Sequence, residues 1–169
     1  MAEHVKWING EITKLEKEIE DHIDRHPGLK RDAALITSIP GIGPTTVARI
    51  LGHLGDIRRF KNAKALAAFL GMTPKHHTSG TSVKGRSVIC RTGSTSLRAA
   101  LYMPSMVACR FNPILQQFAE RLRTTGLPMK AVICAVMHKL THLIYGVIRT
   151  GKPFDANYLS KGLAIQDGI

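Results

Sequence analysis

With 169 residues, 44% of them hydrophobic, the chain is long enough for one compact core with an appended element and too short for two full domains. Its 24 Lys and Arg against 12 Asp and Glu give a net charge of +12, which argues against an acidic substrate-binding protein and for a polyanionic partner. Three cysteines, Cys90, Cys109 and Cys134, make an odd set without CxxC spacing, which supports neither a disulfide framework nor a cysteine-rich zinc site, and reduced, mostly buried thiols are expected.

The first predicted element is an amphipathic helix over residues 1–26. Ile8, Ile12, Leu15 and Ile19 alternate spacings of four and three, with His22 and Ile23 following, between flanks rich in Glu and Lys. This is a coiled-coil-like seam too short to be stable alone, so it is expected to act as a connector that docks on another chain or on the rest of a longer coiled coil, making the protein a homo-oligomer. His26-Pro27-Gly28 closes it. A helix over 29–38 follows, interrupted by Pro40-Gly41, and another runs from Pro44 to about Leu54 with Gly55 as its stop.

Residues 61–70 read as a helix capped by Asn62, with Ala65, Leu66, Phe69 and Leu70 on its apolar face. From Gly71 to Gly93 the periodicity stops. The stretch is rich in Gly, Ser, Thr, Lys, Arg and His, and Ser87-Val88-Ile89-Cys90 is its one hint of strand, so a long basic loop or loop-hairpin is expected. Helical order resumes over 94–110, with Leu97, Ala100, Leu101 and Met106 facing inward. Asn112 and Pro113 then supply a cap and a first-turn proline for a helix through 122. A last long helix over 128–150 carries Val132, Val136, Leu140, Leu143 and Val147, and Phe154, Tyr158 and Leu159 of the tail are positioned to dock on the core. The expected organisation is a connector helix (1–26), a helical DNA-binding domain (27–152) and a C-terminal tail (153–169).

Charge is segregated along this order. Residues 1–32 hold eight acids and six bases, so the remaining residues carry 18 bases against four acids. Between Asp56 and Glu120 there is no carboxylate, while Arg58, Arg59, Lys61, Lys64, Lys75, Lys84, Arg86, Arg91, Arg98 and Arg110 all fall there. A carboxylate-held pair of metal ions cannot be built from that segment alone. His138 and His142, one helical turn apart, lack the glutamate and third ligand of a zinc site, and no metal is expected in the chain. Trp7 and Tyr102 are too few for a single-strand stacking platform. Neither the first residues nor any other stretch has the uninterrupted apolar run of a leader or a membrane span, so a soluble, cytoplasmic protein is expected.

Residues 35–48, LITSIPGIGPTTVA, resemble the helix-hairpin-helix DNA-binding motif, expected over 33–54. Gly41 and Gly43 permit a close turn, and the first amides of the second helix, around Thr45 and Thr46, lack internal acceptors and suit a phosphate oxygen. Such contacts carry no base information.

The run GMTPKHHTSGTSVKGRS over 71–87, followed by RTGS at 91–94 and LRAALY at 97–102, closely resembles the C-terminal transposase domain of the IS116/IS110/IS902 insertion-sequence family. Those transposases pair a RuvC-like DEDD domain with a serine-bearing domain and include the RNA-guided bridge recombinases. The resemblance spans roughly residues 33–125. It implies an all-α helical domain containing the hairpin motif, with the coiled-coil-like helix and the basic loop as additions. It also implies a loop serine that attacks DNA phosphate and forms a phosphoserine linkage. Ser79, followed by Gly80, is the first choice for that serine, with Ser82 and Ser87 as alternatives.

A serine hydroxyl needs a base to remove its proton and cations to stabilise the pentavalent phosphate. His76 and His77 are candidate bases, His77 the preferred one. Arg86 is assigned to the reacting phosphate, and Lys75, Lys84, Arg91 and Arg98 to neighbouring phosphates. No counterpart of the RuvC-like domain is read here, and Mg2+ is expected in that domain, with no cofactor in this chain. The chain alone is therefore expected to bind DNA without recombining it. The resemblance raises a guide RNA as a further partner and places the protein in a bacterial or archaeal cytoplasm. Two other functions fit the same residues: a non-enzymatic DNA clamp, and an assembly element working through 1–26.

Overall fold

The structure is a computed structural model and describes residues 1–75, 78–79, 83–84, 88–89 and 92–157. Seven α-helices make up almost all of the regular structure: α1 (Ala2–Arg25), α2 (Pro27–Thr37), α3 (Pro44–Leu54), α4 (Ala63–Phe69), α5 (Thr95–Phe111), α6 (Pro113–Thr124) and α7 (Met129–Thr150). The all-α expectation holds, and short β pairings are added within the basic segment.

The helix boundaries follow local chemistry. Pro27-Gly28, expected to close α1, instead opens α2. Residue His26 is extended and serves both helices, and Pro27 loses nothing at the first helical position because its missing N–H would have had no partner there. Gly55 ends α3 with φ at +59°. Asn62 caps α4 by accepting from the amide of Ala65, and Ser94 caps α5 by accepting from Leu97. Buried Asn112 ends α5 and caps α6, its Oδ1 accepting from the amides of Ile114 and Leu115.

The centre of the body is α7. Val132, Ile133, Val136, Met137, Leu140, Ile144, Val147 and Ile148 are buried along one broad face of it, against α2, α4, α5, α6 and a short 3-10 turn at Ile57–Arg59. By length and composition α7 would suffice to cross a membrane, yet half of its apolar window is buried inside the body, as a core helix requires. Around it, Ile36, Ile39, Ile50, Leu66, Leu70, Leu97, Leu101 and Leu115 complete one continuous core.

Polar ties lock the periphery. The Tyr145 hydroxyl lies 3.1 Å from the Phe60 carbonyl oxygen and 3.2 Å from that of Lys61. The Phe154 amide donates to Ser38 Oγ at 2.8 Å, so the start of the tail does dock, while Tyr158 and Leu159 lie outside the described residues. Asp32 on α2 receives both guanidinium nitrogens of Arg58 at 2.7 Å. These bonds hold the guanidinium above its ordinary range of ionisation and remove Arg58 from the free cations of the basic segment. Cys109 and Cys134 are half-buried rather than buried, because each lies beside rather than on the innermost stripe of its helix. Burial still pushes both thiols up, and Cys90 lies outside the described residues.

On α7 the rings of His138 and His142 lie 4.6 Å apart, and His142 Nε2 is buried without a hydrogen-bond partner. Burial, then the neighbouring charges of His138, Lys139 and Lys64, pushes His142 down to about 4. The folded state therefore binds fewer protons than the unfolded one between the ordinary value of 6.5 and about 4. Stability is expected to be complete above pH 6.5 and to fall as the pH drops toward 4. Urea-unfolding midpoints across that range check this, and His142→Phe should flatten the decline.

Candidate nucleic-acid interface

Between α2 and α3 the chain turns within six residues. Ile39 and Ile42 are buried beneath the turn, and with Val47 and Ile50 they hold the two helices together as the sequence requires. Gly41 adopts φ +105°, and a Cβ there would sit 2.9 Å from both Cβ and the amide nitrogen of Ala108 on α5. Glycine is thus demanded twice, by the left-handed backbone and by the close approach. Gly43 is the extended residue before α3 and provides no side-chain cap, while Pro44 takes the first helical position. Gly43, Pro44 and Thr45 are exposed and Thr46 is half-buried, so the positive end of α3 opens to solvent, but the Thr46 amide, expected to lack an acceptor, donates to the Gly43 carbonyl at 3.0 Å because the first turn of α3 closes on it.

The basic segment leaves the body through a narrow neck. Gly71 (φ +67°) and Gly93 (φ +156°) pass so closely that a Cβ on Gly93 would lie 2.4 Å from the Gly71 nitrogen. The Ser94 amide donates to the Phe69 carbonyl, and Met72 is buried, its Sδ accepting from Thr141 Oγ1 at 3.3 Å. Half-buried Arg98 donates to the Leu70 carbonyl at 3.2 Å and to Thr95 Oγ1. The guanidinium expected on phosphate is thus engaged with the neck in this structure.

Beyond the neck the chain is more ordered than a loop. Strands β1 (Pro74–Lys75) and β4 (Val88–Ile89) pair antiparallel, and β2 (Thr78–Ser79) pairs with β3 (Val83–Lys84) inside them. The backbone of Ser79 lies opposite Val83, three residues apart from it across 80–82, so Ser79 sits at the inner end of a nested hairpin. Lys75 pairs with Val88 and Lys84 with Thr78. Ser82, Ser87, His76, His77, Arg86 and Arg91 lie outside the described residues.

The turn and the neck occupy opposite ends of one helix. Gly41 packs on Ala108 near the C-terminal end of α5, whereas His53 at the far end of α3 reaches Ser96 near its start, with Ser96 Oγ 3.3 Å from His53 Nε2. From residue 96 to 108 an α-helix rises about 18 Å. The α3 amides and the neck therefore lie about 18 Å apart. Sequence order concealed this separation, because the direction of α3 against α5 is a tertiary fact.

One cation gains importance from the structure. Arg59 is exposed and lies over the rings of Phe60 and Phe69, 5.0 and 5.7 Å from their centroids, directly beside the neck. Its only sequence signal was membership of the carboxylate-free segment. Among the described residues no group of three His, Cys, Asp or Glu side chains is placed to hold a metal ion, so the donors seen here do not fit a Mg2+ site.

The neck generates a stability contrast. Gly93→Ala must force two backbones apart and is expected to cost about 2–4 kcal/mol. Gly55→Ala, with positive φ but open space around it, should cost about 1 kcal/mol. Urea denaturation of both variants beside the unaltered chain measures the difference.

The sequence that builds this arrangement is similar to those of known proteins. Residues 33–120, from α2 through most of α6, match the family described as Transposase IS116/IS110/IS902. The chain is 37% identical over 155 residues to pilin gene-inverting proteins of Moraxella bovis and Moraxella lacunata, covering 90% of this chain and 48% of each of theirs. It is 24% identical over 156 residues to an insertion element IS110 protein of Streptomyces coelicolor, covering 92% of this chain and 37% of that protein. The chain thus spans about half the length of the first two relatives. The matched region contains the α2–α3 turn, the glycine neck and the hairpin with Ser79, and on that match the chain belongs to the IS116/IS110/IS902 transposase family.

Proposed function

We propose that this chain is the DNA-gripping and strand-transferring part of a transposase or DNA recombinase, with Ser79 as its nucleophile. The observation that carries the reading is the position of Ser79 at the inner end of a hairpin rooted in a glycine-closed neck, within a region that matches a transposase family. The α2–α3 turn works as a helix-hairpin-helix contact. Its amide at Thr45 takes one phosphate, since the Thr46 amide already donates to the Gly43 carbonyl at 3.0 Å, and the cations around the neck and hairpin, among them Arg59, Lys75 and Lys84, take others about 18 Å away.

In the strand-transfer step the Ser79 Oγ–P bond forms as one P–O bond to a deoxyribose breaks, and the departing hydroxyl takes a proton. The phosphodiester count is unchanged, so attack by a second strand's hydroxyl restores serine and joins DNA without an external energy source. His77 is the local candidate to accept the serine proton, and Arg86 to neutralise charge on the pentavalent phosphate. No step is assigned to a metal in this chain.

Two outcomes test the reading. Binding of the chain to duplex DNA should be indifferent to sequence and weaken about 10²–10³-fold between roughly 50 and 200 mM salt, as about five phosphate contacts release counterions. Thr45→Glu, which places a carboxylate at the α3 amides without threatening the helix, should weaken it about tenfold. Salt-independent binding would remove the phosphate grip. Separately, in a complete transposase carrying this chain, a nicked duplex that traps the intermediate should give a covalent protein–DNA adduct. The adduct should vanish in Ser79→Ala and survive in Ser82→Ala and Ser87→Ala; its persistence in Ser79→Ala would dismiss Ser79.

A further inference from the structure

None of the residues of α1 is buried, although the helix carries a regular apolar seam. Val5, Ile8, Ile12, Leu15 and Ile19 are between 39% and 57% exposed, and with His22 they alternate spacings of three and four over six layers. In heptad terms Val5, Ile12 and Ile19 take position a, and Ile8, Leu15 and His22 take position d. Trp7 and Gly10 fall on the outer face, away from the seam. Among the described residues nothing covers this seam, and the residues bordering it specify what the occupant must be.

Those borders are acidic. Along the middle of the seam positions g and e hold Glu11, Glu18 and Glu16, with His4, Asn9, Ile23 and Arg25 at these positions toward the ends, and α1 as a whole has seven acids against four bases. In a parallel, in-register pairing of two copies, Glu11 of each faces Glu16 of the other, so the one charged g–e′ contact is repulsive and occurs twice. An antiparallel pairing that uses all six layers sets Glu11 of one copy against Glu18 of the other. Lys14 pairs with Glu11 within the helix at 2.6 Å, but both groups are exposed, so the pair screens the repulsion only weakly.

We infer that α1 is a docking helix for a helix of different sequence, apolar at its own a and d positions and bearing Lys or Arg where it faces Glu11, Glu16 and Glu18. Self-pairing, the arrangement suggested by the seam alone, is disfavoured by the rims. Specificity arises because like charges flanking an apolar seam penalise the wrong partner while opposite charges admit the right one. This inference is independent of the serine chemistry, since α1 lies outside residues 33–120.

The test uses the chain itself as the probe. A variant carrying Glu11→Lys, Glu16→Lys and Glu18→Lys presents the same seam with basic rims, and the core is untouched because α1 buries nothing. In sedimentation equilibrium, wild type mixed with this variant should form a one-to-one complex at least tenfold tighter than self-association of either chain. Added salt should weaken that complex, and Ile12→Asp in either chain should abolish it. The inference is overturned if wild type alone forms a dimer that Ile12→Asp dissolves, or if the mixture forms no complex.

Discussion

Burying the broad apolar face of a 22-residue helix along its whole length requires several neighbours, and α2, α4, α5, α6 and the Ile57–Arg59 turn supply them to α7. The other features of the body follow from that demand. The carbonyls at Phe60 and Lys61 are fixed by Tyr145 of α7, the start of the hairpin is fixed by Met72 beside Thr141 of α7, and α5 is held between turn and neck. A close-packed core of this kind transmits position rather than motion, so groups at the two ends of α5 keep a constant spacing.

That constant spacing suits a rigid backbone ligand. Phosphates recur at regular intervals along DNA, so under the proposed function the two ends would meet that repeat without reading a base. The two glycine approaches, Gly41 on Ala108 and Gly93 on Gly71, serve the same purpose at the two ends. Each brings main chain against main chain or against a methyl, and neither leaves room for a side chain to loosen the fit.

Charge is divided between the two parts of the molecule in a way that fits two different partners. The body is strongly basic and presents amides and guanidinium groups, whereas α1 is acidic along the borders of its seam. Were the seam flanked by bases, DNA would compete for it. Not every cation of the basic segment is available, because Arg58 is spent on Asp32 and Arg98 on the neck, so net charge overstates the surface offered to phosphate. A nearly buried acid beside a basic surface costs least when its partner is supplied from the same chain in bidentate geometry.

Local sequence determined the helices, their caps and the glycine turn, because Asn62, Ser94, Asn112, Pro44 and Pro113 act on backbone groups only two or three residues away. It also determined the apolar stripe of α7 and the seam of α1, since periodicity in a helix is read within a few turns. The tertiary structure alone decided that α3 opposes α5 and thereby parts the turn from the neck, that Asp32 claims Arg58 across 26 positions, and that Arg98 turns back to Leu70. The β pairing around Ser79 was barely legible, because strands of two residues have no periodicity to detect and depend on a neck closed by residues more than twenty positions apart. Contacts between distant residues are set by how whole helices pack, and no local pattern encodes them.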